Sequence, residues 1–310
     1  CLAYRICQSV RLSSKHQIML KNNMKTLAFI HTETARSAVG DFAPVTSIFS
    51  HYELGNTVSP FLLLDHIGPG TLKPSALRKG VDEHPHRGFE TVTIMLKGEL
   101  EHRDSGGGGG IIAAGDVQWM TAASGVIHKE VFSEAFSQTG GPFEMLQLWV
   151  NLPAKDKMNP PRYQSLDKAS IPKVDLAHAA GYIRVIAGEY QEQTGPAQTH
   201  TPMQVYDIFL RKGHTLQLPA QEGDTTLIYM RSGRATFQAK DQELEDQGMA
   251  VMSSRGEQVE LTAQRDCAIL YLSAAPLNEP IYGRGYFVMN HFDEILQAYE
   301  DLKNNQFIRP

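Results

Sequence analysis

A chain that carries the same strand–glycine–strand unit twice has few folds open to it. Thr93-Ile94-Met95-Leu96-Lys97-Gly98-Glu99-Leu100 resembles Ile228-Tyr229-Met230-Arg231-Ser232-Gly233-Arg234-Ala235, which sets Gly98 against Gly233 at an offset of 135 residues. Ala114-Gly115-Asp116-Val117-Gln118-Trp119-Met120 likewise resembles Gln247-Gly248-Met249-Ala250-Val251-Met252, with Gly115 against Gly248 at an offset of 133. Such a unit cannot bury its apolar face alone, so two copies in one order predict two similar β-barrels.

The remaining punctuation agrees with an all-β chain. Runs such as Ile48-Phe49-Ser50-His51-Tyr52 and Met145-Leu146-Gln147-Leu148-Trp149-Val150 are rich in β-branched and aromatic residues. Gly68-Pro69-Gly70, Gly125 and Gly140-Gly141-Pro142 separate them at short intervals. Successive prolines in Asn159-Pro160-Pro161 cannot continue a ladder, which predicts a first barrel over residues 24–160 and a second over 161–290. Helical periodicity is confined to residues 291–310, where Phe292, Ile295, Leu296 and Tyr299 form a stripe expected to face a barrel.

Composition removes several function classes. With 42% hydrophobic and 20% charged residues the chain has enough apolar material for real cores, which excludes wholesale disorder. The run Phe61-Leu62-Leu63-Leu64 ends at Asp65, far short of a helical membrane span. Against 34 acidic residues stand 29 basic ones, a net charge of −5 that argues against direct sequence-specific nucleic-acid binding. The three cysteines, Cys1, Cys7 and Cys267, support neither a disulfide framework nor a thiolate metal site, and they fit a reducing cytoplasm. Cys267 is expected to be a buried core thiol.

The first residues are basic. Arg5, Arg11, Lys15, Lys21 and Lys25 precede the first acidic residue, Glu33. Such a stretch resembles a transit peptide; the preferred reading is an upstream extension with Met24 as the start, so residues 1–23 are set aside. The run Gly106 to Gly110 lacks the Lys-Ser/Thr of a phosphate loop and is read as a hairpin connection.

The chemistry lies between His84 and Glu130. His84-Pro85-His86 places two imidazoles at i and i+2, on one side of an extended strand, and Glu90 falls on the same parity. His128-Lys129-Glu130 repeats the spacing on what should be a neighbouring strand. Burying four such groups without a cation would be costly, whereas three imidazoles and a carboxylate suit a first-row divalent metal and leave positions open. Phe89, Trp119 and Met120 are read as apolar lining or as core.

Several segments resemble the signatures of the pirin family: His84-Pro85-His86-Arg87-Gly88-Phe89-Glu90-Thr91-Val92, Gly115 to Ala122, Gly125 to Glu130, Gln147 to Leu152 and Gly285 to Asn290. Ala114, Ala123 and Tyr286 depart from the family's usual Pro, Gly and Pro, and none is a proposed ligand. The resemblance implies a bicupin, two stacked jelly-roll barrels with a short C-terminal helix. It also implies one mononuclear metal in the first barrel on His84, His86, His128 and Glu130. In other cupins the carboxylate comes from the position of Glu90, which is therefore the competing ligand or a group that orients an imidazole. The offsets carry the four ligand positions onto Pro219, Gln221, Leu261 and Ala263, so the second barrel is expected to hold no metal. His178, His200, His214 and His291 are read as solvated or capping residues.

The resemblance further implies iron, Fe(II), with manganese, nickel, copper and zinc as alternatives. It points to a quercetin 2,3-dioxygenase activity on a small hydroxylated aromatic and O2, opening the heterocyclic ring and releasing carbon monoxide. Glu130 is the expected catalytic base. A second reading is a redox-dependent regulatory protein that binds a transcription factor or metabolic enzyme, and a third is an inert structural zinc. A deep open pocket ending at the metal would favour catalysis; a capped metal would favour sensing.

Overall fold

The computed structural model describes residues 23–32, 34–237 and 242–309. The basic stretch up to residue 22, with Cys1 and Cys7, lies outside the described residues. No helix among the described residues is long and apolar enough to cross a membrane.

The chain passes twice through one plan. In the front half a seven-stranded antiparallel sheet runs in the order Arg162–Leu166, Val117–Thr121, Phe89–Lys97, Gly141–Asn151, Phe61–Leu72, Phe42–Ser50, Ala35–Val39. A four-stranded sheet of Gly80–His86, Val126–Phe132, Glu99–Asp104 and Gly109–Ala113 completes that barrel. The rear half repeats both. Its seven strands are Leu27–His31, Met249–Met252, Thr225–Ser232, Cys267–Ala274, Met203–Leu210, Gly181–Ala187 and Lys173–Asp175, and its four are Thr215–Pro219, Gln258–Ala263, Arg234–Phe237 and Glu243–Glu245. The repeat read from the sequence is thus a structural one. Gly98 (φ +87°) and Gly233 (φ +117°) each join a long strand of the large sheet to an inner strand of the small one, in backbone conformations that other residues adopt at a cost.

Two strands sit across the expected division of the chain. Leu27–His31 pairs with Met249–Met252 of the rear sheet, and Arg162–Leu166 pairs with Val117–Thr121 of the front one. Each sheet therefore gains an outermost strand from the other side, covering an edge that would otherwise be open to mispairing.

The two large sheets meet through one apolar layer. Phe49, Phe61, Leu64, Trp119, Leu146 and Leu148 from the front pack with Val205, Leu227, Tyr229, Val251, Leu270 and Leu272 from the rear. Trp119 belongs to this layer, and Met120 packs with Ala122 and Val126, so both are core. The rear barrel's interior is hydrocarbon, with Leu216 opposite Leu261 and Leu218 opposite Val259. Cys267 is buried there, as expected.

The C-terminal helix, Phe292–Lys303, returns to the front barrel, where Ile295 and Ala298 pack against Phe287, Met289 and Phe307. The predicted stripe is only partly right. Ile295 is buried, but Phe292, Leu296 and Tyr299 are about 40% exposed, and the buried face runs through Ala298 and Asp301 instead. A hydrophobic count misses a face whose members are a small residue and a charged one. His291 occupies the helix N-cap, and His178 is exposed.

A polar link crosses the apolar layer. His66 bonds the Tyr229 hydroxyl of the rear barrel through Nδ1 at 2.7 Å and Glu144 through Nε2 at 3.1 Å, and Lys97 donates to Glu144 at 2.7 Å. The hydrogen bond from His66, then that from Lys97, holds the Glu144 carboxyl down at about 2. A carboxyl depressed in the folded state stabilises the protein above its unfolded pKa and loses that contribution as pH falls from about 4.5 towards 2. Lys97 is half exposed, so screening leaves roughly 1–2 kcal/mol. Glu144→Gln is expected to lower the urea midpoint at neutral pH and to flatten the acid limb of stability against pH; parallel acid limbs for the two proteins would refute it.

Candidate metal centre

The Gly80–His86 strand lies antiparallel to Val126–Phe132, with His128 opposite His84 and Val126 opposite His86. Alternation along both strands then turns His84, His86 and His128 to one side. One donor atom from each lies within 4.8 Å of the others. Each imidazole engages its Nδ1 elsewhere: His84 with the Asp82 carbonyl at 2.8 Å, His86 with the Tyr286 carbonyl at 3.4 Å, and His128 with His102 at 3.3 Å. A carbonyl only accepts, so His84 and His86 carry their protons on Nδ1 and present Nε2 as a lone-pair donor. The Nε2 atom of His128 is buried without a hydrogen-bond partner among the described residues. Burial first, and the neighbouring histidines second, push His86 and His128 well below the ordinary imidazole value, so both are neutral. This donor set fits a first-row divalent cation.

Glu130 stands one rung beyond His128, past an irregularity in the ladder, and its Oε1 lies 3.2 Å from the Thr93 hydroxyl. A carboxylate oxygen of Glu130 lies within 4.8 Å of donor atoms on His128 and His102. Glu90 behaves differently. It accepts from Thr121 at 2.6 Å, its other oxygen has no partner among the described residues, and burial raises its carboxyl to about 7. Among the described residues no imidazole is hydrogen-bonded to it, which gives the expected orienting role no support. Parity failed because the chain breaks between His86 and Phe89: Gly88 takes φ +89°, and the two strands belong to different sheets.

His102, not singled out in the sequence, completes the cluster. It lies opposite Glu130 on Glu99–Asp104 and is fully buried. Its Nδ1 faces His128 and accepts from the Gln118 amide at 3.1 Å, while its Nε2 donates to Asp104 at 3.1 Å. Burial opposes ionisation of Asp104, yet hydrogen bonds from His102 and the Gly108 and Gly106 amides outweigh it and hold the carboxyl below its ordinary value. The five-glycine run is the expected hairpin turn, and it also makes room: a Cβ on Gly108 would fall on the Asp104 carboxylate and 2.6 Å from the Tyr163 Cβ. The signal was the spacing of His102-Arg103-Asp104 on a strand adjoining the one that carries His128.

Two family models account for most of the described chain, pirin over residues 43–150 and the pirin C-terminal cupin domain over 205–308. The chain belongs to the pirin family. A crystal structure of a quercetin 2,3-dioxygenase from Acinetobacter baumannii is 45% identical, covers 92% of this chain and 98% of its own, and superposes with a TM-score of 0.89. A Pseudomonas aeruginosa protein provisionally named a quercetin 2,3-dioxygenase is 50% identical over 92% of this chain and 99% of its own length. A pirin-like protein of Solanum lycopersicum is 36% identical over 87% and 89%. The bicupin architecture agrees with these relatives.

In this pirin a cavity of about 440 Å³ ends at His84, His86 and Glu130, with Trp149, Leu63 and Met145 among its walls. Phe89 packs against Trp149, with ring centroids 4.4 Å apart and planes tilted by 38°, and is core. Tyr286 stands at the cavity, half exposed, 5.4 Å from the His84 ring. It belongs to the arm that leads into the C-terminal helix, and that arm is locked by Arg87. The Arg87 guanidinium, fully buried, donates to Asp301 at 2.7 Å and to the Ser124 carbonyl at 2.6 Å, and it lies 4.4 Å over the Phe307 ring. Removing one partner strands a buried charge, so Asp301→Leu is expected to cost about 3–5 kcal/mol in urea unfolding. A loss below 1 kcal/mol would show the pair to be dispensable.

Proposed function

We propose that this pirin is a mononuclear metal dioxygenase acting on flavonols such as quercetin, with His84, His86, His128 and Glu130 as the metal-holding set. The observation that carries the reading is the open cavity that ends at that cluster, which suits a substrate better than a sealed sensing centre does. The relatives named for quercetin 2,3-dioxygenase activity support the same reaction class. Iron(II) is the proposed ion, since an N/O donor set of this kind also accepts manganese, nickel, copper and zinc, and selection rests on supply as well as affinity.

A divalent transition ion bound there would supply redox chemistry with O2 and a positive centre for the substrate's ionised hydroxyl. The protein's own groups do the rest. Trp149, Leu63 and Met145 give a flat aromatic ligand an apolar wall and exclude water. Glu130, beside the Thr93 hydroxyl, accepts the proton of the flavonol 3-hydroxyl, which activates the ring towards O2, opening of the heterocycle and loss of carbon monoxide. His102 acts through His128: Asp104 and Gln118 fix its orientation, and its Nδ1 stands 3.3 Å from the His128 Nδ1, which keeps the His128 Nε2 facing the cluster.

Iron-loaded protein is expected to consume O2 and release carbon monoxide with quercetin under air. Glu130→Gln should lower kcat by a factor of about 100 or more, and His86→Ala should abolish turnover. Unchanged turnover in His86→Ala, or none in fully metallated wild type, would reject the assignment. His102→Leu is expected to weaken metal binding by about 10–100-fold in chelator competition, with the far-UV spectrum unchanged; unaltered affinity would remove His102 from the site.

A further inference from the structure

The cavity floor is formed by two neighbouring strands, Phe61–Leu72 and Gly141–Asn151, whose register stacks three rungs: Leu63 with Trp149, Asp65 with Gln147, and Ile67 with Met145. The alternate residues Leu64, Leu146 and Leu148 face the other way, into the layer between the barrels. Two of the three rungs are apolar on both strands. The middle one is polar on both, and neither of its members belongs to the donor cluster at the histidines.

Placing a carboxylate in an apolar floor costs free energy unless something pairs with it. One oxygen of Asp65 is buried with no hydrogen-bond partner among the described residues. Burial, only partly offset by the Ser47 hydroxyl, raises its carboxyl to about 6, so at neutral pH it is mostly an unsatisfied acceptor. Gln147 is already fixed through its carbonyl, which accepts from Thr93 at 2.8 Å and leaves the amide N–H groups as donors. The rung thus offers an acceptor and a donor side by side. A phenolic hydroxyl, which both donates and accepts, matches that pair.

We propose that Asp65, with Gln147 beside it, is a specificity subsite that reads a hydroxyl of the bound aromatic other than the one directed at the histidines. This rests on the flavonol reading above and adds a substrate preference to it. The ligand class is an aromatic with hydroxyls on more than one ring. A flavonol bare of the second hydroxyl leaves the buried acceptor unpaired, and sites of this kind discriminate most strongly against such analogues.

Zinc-loaded protein, titrated without O2 and followed by tryptophan fluorescence, tests the subsite with three probes: 3-hydroxyflavone, galangin and quercetin. Wild type should bind the hydroxylated probes more tightly than 3-hydroxyflavone. Asp65→Asn, which keeps the side chain's size, and Asp65→Leu should each shrink that preference about tenfold, with zinc content unchanged and binding of 3-hydroxyflavone not weakened. Equal affinity of wild type for all three, or a preference that survives in both variants, overturns the subsite and leaves the flavonol reading standing. Failure of zinc-loaded wild type to bind any of the three overturns both.

Discussion

The face-to-face packing of the two seven-stranded sheets carries the molecule. Residues from both halves are removed from water together in that layer, among them Phe49, Phe61, Trp119, Leu148, Leu227 and Leu272, and each fully buried side chain of this size contributes about 1.5–3 kcal/mol. The front barrel therefore need not fill its own interior to be stable. Its apolar cluster around Phe42, Phe132, Phe143 and Met145 fills part of it, and beside that cluster, sharing Phe42 and Met145 as walls, a cavity reaches the histidines and carboxyl groups. Neutral imidazoles, a raised Asp65 carboxyl and a raised Glu90 carboxyl all cost free energy in that setting, and the layer between the barrels offsets it.

The same plan has opposite contents in the two barrels. The strand pair Gly80–His86 and Val126–Phe132 has its counterpart in Thr215–Pro219 and Gln258–Ala263. Where the front pair faces inward with histidines, the rear pair faces inward with Leu216, Leu218, Val259 and Leu261, and stacked Tyr206 and Tyr271 fill the space across from them. The rear barrel's hollow, lined by Tyr190, Gln217, Leu218, Pro219 and Gln258, contains no histidine, and the body of the barrel gives the front one an apolar surface to rest on.

Much of this was legible in the chain. The pair Gly98 and Gly233, both at positive φ, marked the duplicated plan, because a tight strand-to-strand turn tolerates little else. His84, His86 and His128 followed from strand alternation, which holds as long as a strand is unbroken. It misled at Glu90 because Gly88 ends the strand between them, a kink with no trace in a parity count. His102 was hidden for a related reason: its importance comes from lateral pairing with Glu130 and from Asp104 curling under the glycine turn, contacts that register creates and linear spacing does not show. The helix stripe failed because Asp301 is buried for the sake of Arg87, which lies 214 positions away.

That long-range contact also bears on how the site is held. His86 is oriented by the Tyr286 carbonyl, and its neighbour Arg87 bonds Asp301 and the Phe307 carbonyl, so the end of the chain completes the first barrel's cluster. Lys157 reinforces the join: its ammonium donates to the carbonyls of Gly88 and Val288 and to Asn151, although burial lowers its pKa to about 7. Gly88 must be a glycine at this point, since a Cβ would fall on the Val288 carbonyl. The strand bearing His84 and His86 is consequently clamped at its far end by residues that follow the second barrel in sequence. A front barrel cut from the chain would keep its histidines but lose the carbonyl that sets the tautomer of His86 and the carboxylate that neutralises Arg87. The geometry of the histidine cluster is thus a property of the whole duplicated chain, although every imidazole in it comes from the first half.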